Sequence, residues 1–382
     1  MSRPGLLSGP FVLCGLANLA QSIAFNLFLH FPGFLNQLGA DDLQVGFIFG
    51  IASVAAIVVR PPMGPIMDHR GRRAVILAGG VLNCAVCALY LTVDSMGAWV
   101  VALRVGHGLA VAMLFTALFT YAADLVPAER RTEGLALFGV SGMAPMALGG
   151  LLGDWILAVG GYRELFLAAF GFAALSLALS LPLFDPPRSH GPDDASHGFW
   201  AALAQRDLLP LWWIGGVFAL ALATVFIFLK RFVDETGVGS VGLFFTAYSL
   251  AALLLRVAFG WLPDRVGPKR VLYPALAALV VGFATLASAV SDRDVAAAGL
   301  LCGIGHGYVF PILFGLVVGR AREADRGSAM AIFTALFDLG VVLGGPLFGA
   351  ISQAAGYGAM YLTAAGLLAL GSAVFALWDR RR

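Results

Sequence analysis

The feature that most constrains this chain is a series of long apolar runs, each about the length needed to cross a lipid bilayer. A spanning helix needs about 20 apolar residues, because the hydrocarbon core is about 30 Å thick and each helical residue rises about 1.5 Å. Short polar breaks separate the runs, and charged residues make up only 12% of the 382 residues. No soluble fold could cover so much apolar surface with so few charges. The sequence therefore predicts an all-α membrane protein.

We predict twelve transmembrane helices in two sets of six. The first six are Phe11–Leu35, Leu43–Ile66, Ala74–Val93, Ala98–Ala122, Gly134–Val159 and Leu165–Phe184. The second six are Leu208–Leu229, Val241–Trp261, Val271–Val290, Val295–Val318, Met330–Ile351 and Ala359–Leu377. The segment between them is rich in Pro, Gly, Ser and Asp, which indicates a flexible linker. The predicted organisation is an N-terminal bundle (1–184), a cytoplasmic linker (185–207) and a C-terminal bundle (208–382).

The distribution of basic residues predicts the orientation of the bundle. If the N-terminus is inside, the inner segments carry 17 Lys and Arg residues and the outer segments only 4. The positive-inside rule then places both termini and the linker in the cytoplasm. We expect a multi-pass protein of the inner membrane and a monomer in the lipid bilayer. The formal net charge of +2 gives no field that would attract nucleic acid.

The chain is a tandem repeat. Residues 45–75 realign on 241–271 at an offset of 196, which places Arg60 opposite Arg256. His107, flanked by two glycines, matches His306 in the same setting at an offset of 199. Six spans return the chain to its starting side, so the halves are parallel repeats about an axis along the membrane normal. Such paired bundles hold their substrate between the halves near the midplane of the membrane.

Three motifs carry a resemblance to a known family. The loop after the second span reads Gly64-Pro-Ile-Met-Asp68-His-Arg-Gly71-Arg72-Arg73, and a degenerate copy contains Asp264. The fourth span carries Arg104-Val-Gly106-His107-Gly108, and the fifth carries a glycine–proline pattern from Gly139 to Gly150, with Ala144 where a glycine is usual. Together these resemble the major facilitator superfamily, in particular its twelve-helix drug:proton antiporters and related metabolite exporters.

The resemblance implies a cytoplasmic gate. Its expected members are Gly64, Asp68, Gly71, Arg72, Asp124 and Asp264. Asp68 ends the second span, where it can face the positive N-terminal end of another helix, and Arg72 can pair with Asp124. The alternative is an ordinary positive-inside loop with turn glycines.

Two formal charges lie well inside predicted spans. A charged residue at mid-helix costs about 2.5–3.5 kcal/mol on insertion scales, so each needs a reason. Arg104 is roughly 9 Å and Asp338 roughly 13 Å from the nearer end of its span, at about 1.5 Å per residue. Thr334 shares the helix face of Asp338, and His107 that of Arg104. We predict that both charged residues act in substrate binding or proton coupling, with a structural ion pair or hydrogen bond as the alternative.

Other polar groups inside the spans are further candidates. His107 and His306 titrate in a useful range, but each could equally be a hydrogen-bonded core histidine. Asn18, Gln21 and Phe25 form a stripe on the first span, and Asn26 lies beside it. A stripe of this kind lines a cavity or makes hydrogen bonds between helices. His30, near the outer end of the first span, is expected at the membrane interface, with a role in substrate entry as the alternative.

The predicted function is proton-coupled export of a small organic molecule, metabolite or drug, by alternating access. The alternative is a proton symporter that imports an organic acid or a siderophore-like chelate, and a non-transporting receptor or lipid-handling protein is a third class. The sequence has no Walker loop and no catalytic motif, so we expect no enzyme activity, no cofactor and the proton gradient as the energy source. The four cysteines lie in apolar runs and are expected to be free thiols without a metal.

Overall fold

The computed structural model describes residues 8–126, 131–185, 199–322 and 325–379, and its elements are helical. In chain order they are α1 (Gly9–Leu27), α2 (Phe31–Gln37), α3 (Asp42–Arg70), α4 (Arg72–Leu89), α5 (Ala98–Leu125), α6 (Arg131–Val159), α7 (Tyr162–Ser180), α8 (Phe199–Leu203), α9 (Leu209–Thr236), α10 (Val241–Phe259), α11 (Leu262–Val266), α12 (Pro268–Ala287), α13 (Asp292–Arg320) and α14 (Arg326–Trp378). The 3₁₀ turns Phe28–His30 and Tyr90–Thr92 follow α1 and α4. Within the described ranges, eleven helical segments are long and apolar enough to cross a membrane. The predicted all-α membrane fold is confirmed.

The last two predicted spans lie in one long element. Helix α14 has 53 residues, and its backbone leaves the helical region at Gly356, where φ is 82° and ψ is 169°. Glycine adopts this positive φ because it has no Cβ to clash with the backbone. The predicted spans Met330–Ile351 and Ala359–Leu377 lie on the two sides of Gly356. The non-helical backbone at Gly356 thus separates the last two predicted spans, both of which lie within α14.

The internal repeat is visible in the backbone. Helices α4 and α12 both begin directly after a glycine with positive φ, at 88° for Gly71 and 103° for Gly267. These two glycines occupy matching positions of the repeat. The same sharp turn therefore starts the third helix of each half, and a side chain at either position would strain it.

The contacts divide the chain into two compact units. The first unit comprises residues 1–40 and 51–189, and the second comprises 41–50 and 190–382. In the first unit α1 packs against α5, α6 and α7, while α4 packs against α5 and α7. In the second unit α9 and α12 both pack against α14, and α13 packs against α10 and α12. The start of α3 groups with the second unit, although the sequence places it in the N-terminal bundle.

Close helix contacts in both units depend on glycine. A Cβ added at Gly149 on α6 would lie 2.5 Å from the Cβ of Asn26 on α1. At the matching position of the repeat, a Cβ added at Gly344 on α14 would lie 2.8 Å from the Cβ of Ala223 on α9. Small residues at such crossings let two helix backbones approach each other within a membrane. The same kind of close glycine contact is thus present in both halves.

The surface of the helices is apolar. Trp155 and Val159 on α6 are 62% and 68% exposed, and Val257 on α10 is 83% exposed. Monomeric soluble proteins rarely expose so many large apolar side chains to water. The exposed side chains are therefore those of a multi-pass membrane protein, for which lipid supplies the missing contacts.

Candidate transport site

Arg104 and His107 lie inside the first unit on adjacent turns of α5. Their exposed fractions are 7% and 3%. The guanidinium carbon of Arg104 is 5.0 Å from the centre of the Phe31 ring, and the His107 ring meets Phe28 edge-on at 4.3 Å between centroids. Arg104 also interacts with Tyr90 at the end of α4. Aromatic faces stabilise a cation that has lost its water, by about 2 kcal/mol or more.

Arg104 and His107 both contact an aromatic cluster. Its members are Phe28, Phe31, Phe34, Tyr90, Tyr162 and Phe166. The cluster comes from four different elements of the first unit, and Phe28, Phe31 and Tyr90 contact His107 or Arg104 directly. Any substrate contact by Arg104 or His107 therefore requires the surrounding rings to move.

The polar stripe on α1 is already engaged in hydrogen bonds. Asn18 Nδ2 donates to Ser141 Oγ on α6 at 2.8 Å, and Gln21 Oε1 accepts from Asn83 on α4 at 3.0 Å. Asn26 Nδ2 donates to the carbonyl of Ser22, one turn earlier, at 2.7 Å. Phe25 is 48% exposed. The first two bonds join neighbouring helices, which is the alternative that the sequence pattern left open.

In the second unit, His306 has a different environment from that of His107. It is only partly buried, and its Nδ1 contacts the hydroxyl of Tyr248 on α10. The rings of Phe218 and Phe310 lie 5.3 and 5.9 Å from it. Arg256 is also on α10, and its Nε donates to the carbonyl of Gly307 at 3.4 Å. A cation and a histidine thus share this part of the second unit as well.

Asp338 lies on α14, directly after Phe337. Its side chain is partly exposed. The ring of the preceding residue, Phe337, meets Phe218 edge-on at 5.7 Å between centroids and lies tilted against Phe310 at 5.3 Å, and these two rings also contact His306. Thr334 is one turn away, but its hydroxyl is bonded to its own helix, at 3.0 Å from the carbonyl of Ala331. The residue before Asp338 thus belongs to the aromatic cluster that contacts His306.

The predicted gate is only partly described. Arg72 Nε lies 2.9 Å from Asp124 Oδ2, where the start of α4 meets the end of α5. Gly71 faces the carboxyl of Asp185, which accepts a hydrogen bond of 2.9 Å from the backbone N–H of Arg73. This carboxyl compensates the positive end of α4. Gly64, Asp68 and Asp264 lie outside the residues whose surroundings the structure describes.

Sequence reasoning misses two buried ionic groups. In the first unit, His30 is completely buried, not interfacial, and its Nε2 lies 2.9 Å from Asp154 Oδ1 on α6. In the second unit, Arg231 Nε lies 2.9 Å from Asp42 Oδ1, and Ser352 donates to the other oxygen of that carboxyl at 2.7 Å. The available signal was weak, since all four charged or titratable residues lie near predicted span ends, where solvation is the default expectation.

Comparison with known proteins places the chain in a family. The sequence model of the Major Facilitator Superfamily matches residues 11–239 and 211–382. The uncharacterized MFS-type transporter YhhS of Salmonella typhimurium (strain LT2) is 27% identical over 353 residues, or 89% of this chain and 84% of the relative. The staphylopine export protein of Staphylococcus aureus (strain Mu50) is 24% identical over 378 residues, covering 94% of this chain and 93% of the relative.

Solved structures show the same fold. A bacterial homologue of the human lysosomal transporter Spinster superposes with a TM-score of 0.80 at 14% identity, over 100% of this chain and 98% of the homologue. A mutant of the nucleoside transporter NupG gives a TM-score of 0.79 at 13% identity, over 97% and 100% of the two chains. This chain belongs to the Major Facilitator Superfamily and is a multi-pass membrane transporter of small molecules, not an enzyme.

Proposed function

We propose that this protein uses the proton gradient to export a small organic molecule across the inner membrane by alternating access. The observation that carries the proposal is Asp338, a partly exposed carboxyl well inside α14. An ionised carboxyl at this depth costs about 2.5–3.5 kcal/mol on insertion scales, so such residues are found on substrate or proton pathways. Protonation removes the charge of this carboxyl, so the charge on one residue can follow the proton gradient across the membrane.

The proposed cycle alternates two states of Asp338. The carboxyl takes a proton from the outer side, which favours substrate release there, and returns the proton on the inner side, where substrate then binds. Phe218 and Phe310 contact both His306 and Phe337, the residue before Asp338. His306 is therefore the second candidate for the proton. One charge that crosses 100 mV supplies about 2.3 kcal/mol, enough for a roughly fifty-fold substrate gradient per proton.

The direction of transport is supported by two observations. One full-length relative is named for staphylopine export. The basic residues favour one set of loops by 17 to 4, which supports a cytoplasmic location for both termini and the linker. In this orientation the Arg72–Asp124 ion pair is on the cytoplasmic side and forms part of the proposed gate.

The charges inside the spans bear on the class of substrate. Arg104 and Arg256 place one cation in each half, whereas the first span carries no acid that could attract a lipophilic cation. This pattern favours an anionic, zwitterionic or neutral metabolite. The same cations are compatible with the second candidate function, a proton symporter that imports an organic acid or a chelate.

Flux measurements in proteoliposomes would separate the two functions. We would reconstitute the full chain and offer radiolabelled staphylopine first, followed by organic acids and chelates that raise the melting temperature in detergent at two pH values. An antiporter accumulates the probe in vesicles that are acidic inside, because protons leave as the probe enters. A symporter accumulates it in vesicles that are acidic outside. Transport that ignores both pH gradients, relative to protein-free liposomes, would contradict proton coupling.

A further inference from the structure

The second unit contains a cation inside a membrane span, Arg256, whose charge no described residue neutralises. Arg256 lies three residues before the end of α10 and is partly exposed. Its Nε donates to the backbone carbonyl of Gly307 at 3.4 Å. Among the residues that the structure describes, Arg256 makes no ion pair and no other hydrogen bond. An unpaired charge at this depth is costly, so Arg256 needs a partner of opposite charge.

The packing of α10 against α13 determines where the Arg256 side chain points. Three glycines of α13, four residues apart, each lie against a residue of α10, and the pairs are Gly299–Phe244, Gly303–Tyr248 and Gly307–Ala252. Arg256 is the next residue in this α10 series. Helical side chains tilt toward the N-terminus, which brings the guanidinium back to the level of Gly307. Because Gly307 is about halfway along α13, the charge lies toward the middle of the span.

A proline in α13 fixes one side of this guanidinium. In an α-helix the carbonyl of residue 307 accepts a hydrogen bond from the N–H of residue 311, but Pro311 has no N–H. Arg256 Nε takes that place. The other two nitrogens, Nη1 and Nη2, make no hydrogen bond to the described residues, and neither is completely buried. They form a planar pair of donors, which matches the two oxygens of a carboxylate.

Arg104, the cation inside the first unit, has a different environment. It is 7% exposed, its guanidinium carbon lies 5.0 Å from the centre of the Phe31 ring, and it interacts with Tyr90. Aromatic groups thus enclose Arg104, whereas Arg256 keeps its terminal nitrogens accessible. Of these two cations, Arg256 is therefore the one that can receive an anion without rearrangement of its neighbours.

The groups beside Arg256 indicate what kind of anion fits. Arg256 interacts electrostatically with Tyr248 and His306. The rings of Phe218 and Phe310 lie 5.3 and 5.9 Å from the His306 ring. Apolar aromatic surface therefore begins one side chain away from the cation. This arrangement suits an organic anion whose charged group is attached to an apolar body.

We propose that Arg256 binds the carboxylate of the transported molecule, which is an organic acid with an apolar body. Nη1 and Nη2 donate to the two carboxylate oxygens, while Pro311 leaves the Gly307 carbonyl for Nε and so positions the guanidinium. The role of this site in transport rests on the proposed function, whereas carboxylate binding can be measured without a proton gradient.

Matched acids and amides test the site. The purified full chain in detergent at neutral pH is titrated with benzoate or indole-3-acetate, and with benzamide or indole-3-acetamide at the same ionic strength, while the melting temperature is recorded. At least one acid should stabilise wild type where its amide does not. Arg256→Gln should bind that acid about tenfold to hundredfold more weakly, because hydrogen bonds to charged groups contribute about 1.5–3 kcal/mol.

Two results would overturn the proposal. One is a wild type on which acid and amide have the same effect, or no effect, in both pairs. The other is an Arg256→Gln variant that binds the acid as tightly as wild type does. Arg293→Gln is the control, since it removes an exposed arginine from the first turn of α13 and should bind the acid like wild type.

Two further variants separate binding from folding. Arg256→Lys keeps the charge without the planar pair of donors, so its affinity should lie between those of wild type and Arg256→Gln. If Arg256→Gln does not fold, wild-type affinity in Arg256→Lys would overturn the site. Pro311→Ala restores the N–H that pairs with the Gly307 carbonyl, so it should melt no lower than wild type but bind the acid more weakly. Wild-type affinity in Pro311→Ala would overturn the positioning role of Pro311.

Transport then separates this site from the proposed function. In proteoliposomes, a wild type that binds the acid through Arg256 but moves it regardless of the pH gradient would refute proton coupling and retain the site. A wild type that accumulates the acid under a pH gradient, with Arg256→Gln equal to it in affinity and rate, would refute the site and retain the function.

Discussion

The two units use different charged groups where the start of the third long helix lies near the end of the fourth. In the first unit, Arg72 at the start of α4 pairs with Asp124 at the end of α5, and the two side chains are 20% and 35% exposed. In the second unit, Asp379 follows α14 with a side chain that is 0% exposed. Arg320 at the end of α13 donates to both of its oxygens at 2.8 Å, and Lys269 on α12 lies 2.9 Å away.

The repeat explains how the difference arises. Arg320 ends α13 and Asp124 lies one residue before the end of α5, so the charge at the end of the fourth long helix has opposite signs in the two halves. Lys269 occupies the position of Arg73 and retains its sign. The reversed charge cannot pair with the start of α12 and bonds to Asp379 instead. The first unit therefore has a half-solvated pair that can break, whereas the second has a buried network that holds.

Removing the buried carboxyl should have the largest effect. Asp379→Asn abolishes two charged pairs and leaves Arg320 and Lys269 without their shared counter-ion. Hydrogen bonds to charged groups contribute about 1.5–3 kcal/mol, so we expect a loss of about 2–3 kcal/mol of stability. Thermal unfolding in detergent measures this change. Asp124→Asn is the matched variant in the first unit, and an equal loss in both variants would contradict the comparison.

The pH dependence of stability should reveal the same network. Burial alone would raise the pKa of Asp379, but the hydrogen bonds and charges of Arg320 and Lys269 outweigh it and lower the pKa. Because the folded pKa lies below the unfolded value of about 3.9, the contribution is complete above that value and is lost as the pH falls through the folded pKa. The melting-temperature gap between wild type and Asp379→Asn should stay constant from pH 8 to 5.5 and narrow below about pH 4. A gap that widens with acid would contradict this assignment.

The glycine contacts extend the comparison to helix packing. Gly149→Ala forces the added methyl against the Cβ and backbone of Asn26, and overpacking of this kind costs about 1–3 kcal/mol. Gly344→Ala in the second unit should cost a similar or smaller amount, since the added Cβ meets the Cβ of Ala223 at 2.8 Å and lies 3.3 Å from both a side-chain carbon and the backbone oxygen of Leu220. Gly171→Ala serves as the control, because a Cβ added at this position meets nothing within 4 Å. If Gly149→Ala unfolds at the temperature of the control, α1 and α6 are not packed as described.

The smallest effect on stability is expected at the half-solvated pair. Asp124→Asn should lower stability by less than about 1 kcal/mol, because exposed ion pairs contribute little. If the Arg72–Asp124 pair acts in the proposed gate, the same variant should slow transport more than Asp379→Asn does, relative to the amount of folded protein. Initial rates in proteoliposomes would measure this, and unchanged transport would leave the pair with a structural role only.

The sequence predicts the helices and their repeat far better than it predicts side-chain partners. Apolar runs give the spans directly, and the last two predicted spans lie on the two sides of the helix break at Gly356. Arg72 and Asp124 could be paired because they lie at the same predicted membrane face of two consecutive spans. Asp154 and His30 could not, because their contact depends on how α1 and α6 are rotated about their axes. If either helix were rotated about its axis by the angle between successive residues, the hydropathy pattern of the sequence would be the same. His30 and Asp154 would then not be in contact.

The central claim is that Asp338 couples proton movement to transport, and one variant tests it most directly. Asp338→Asn keeps the size and polarity of the side chain but cannot exchange a proton. In proteoliposomes, we predict that this variant loses accumulation of the probe driven by a pH gradient while it retains exchange of labelled for unlabelled probe across the membrane. Asp94→Asn changes an exposed carboxyl in the loop between α4 and α5, and this control variant should keep both activities. Full gradient-driven accumulation by Asp338→Asn would contradict the account.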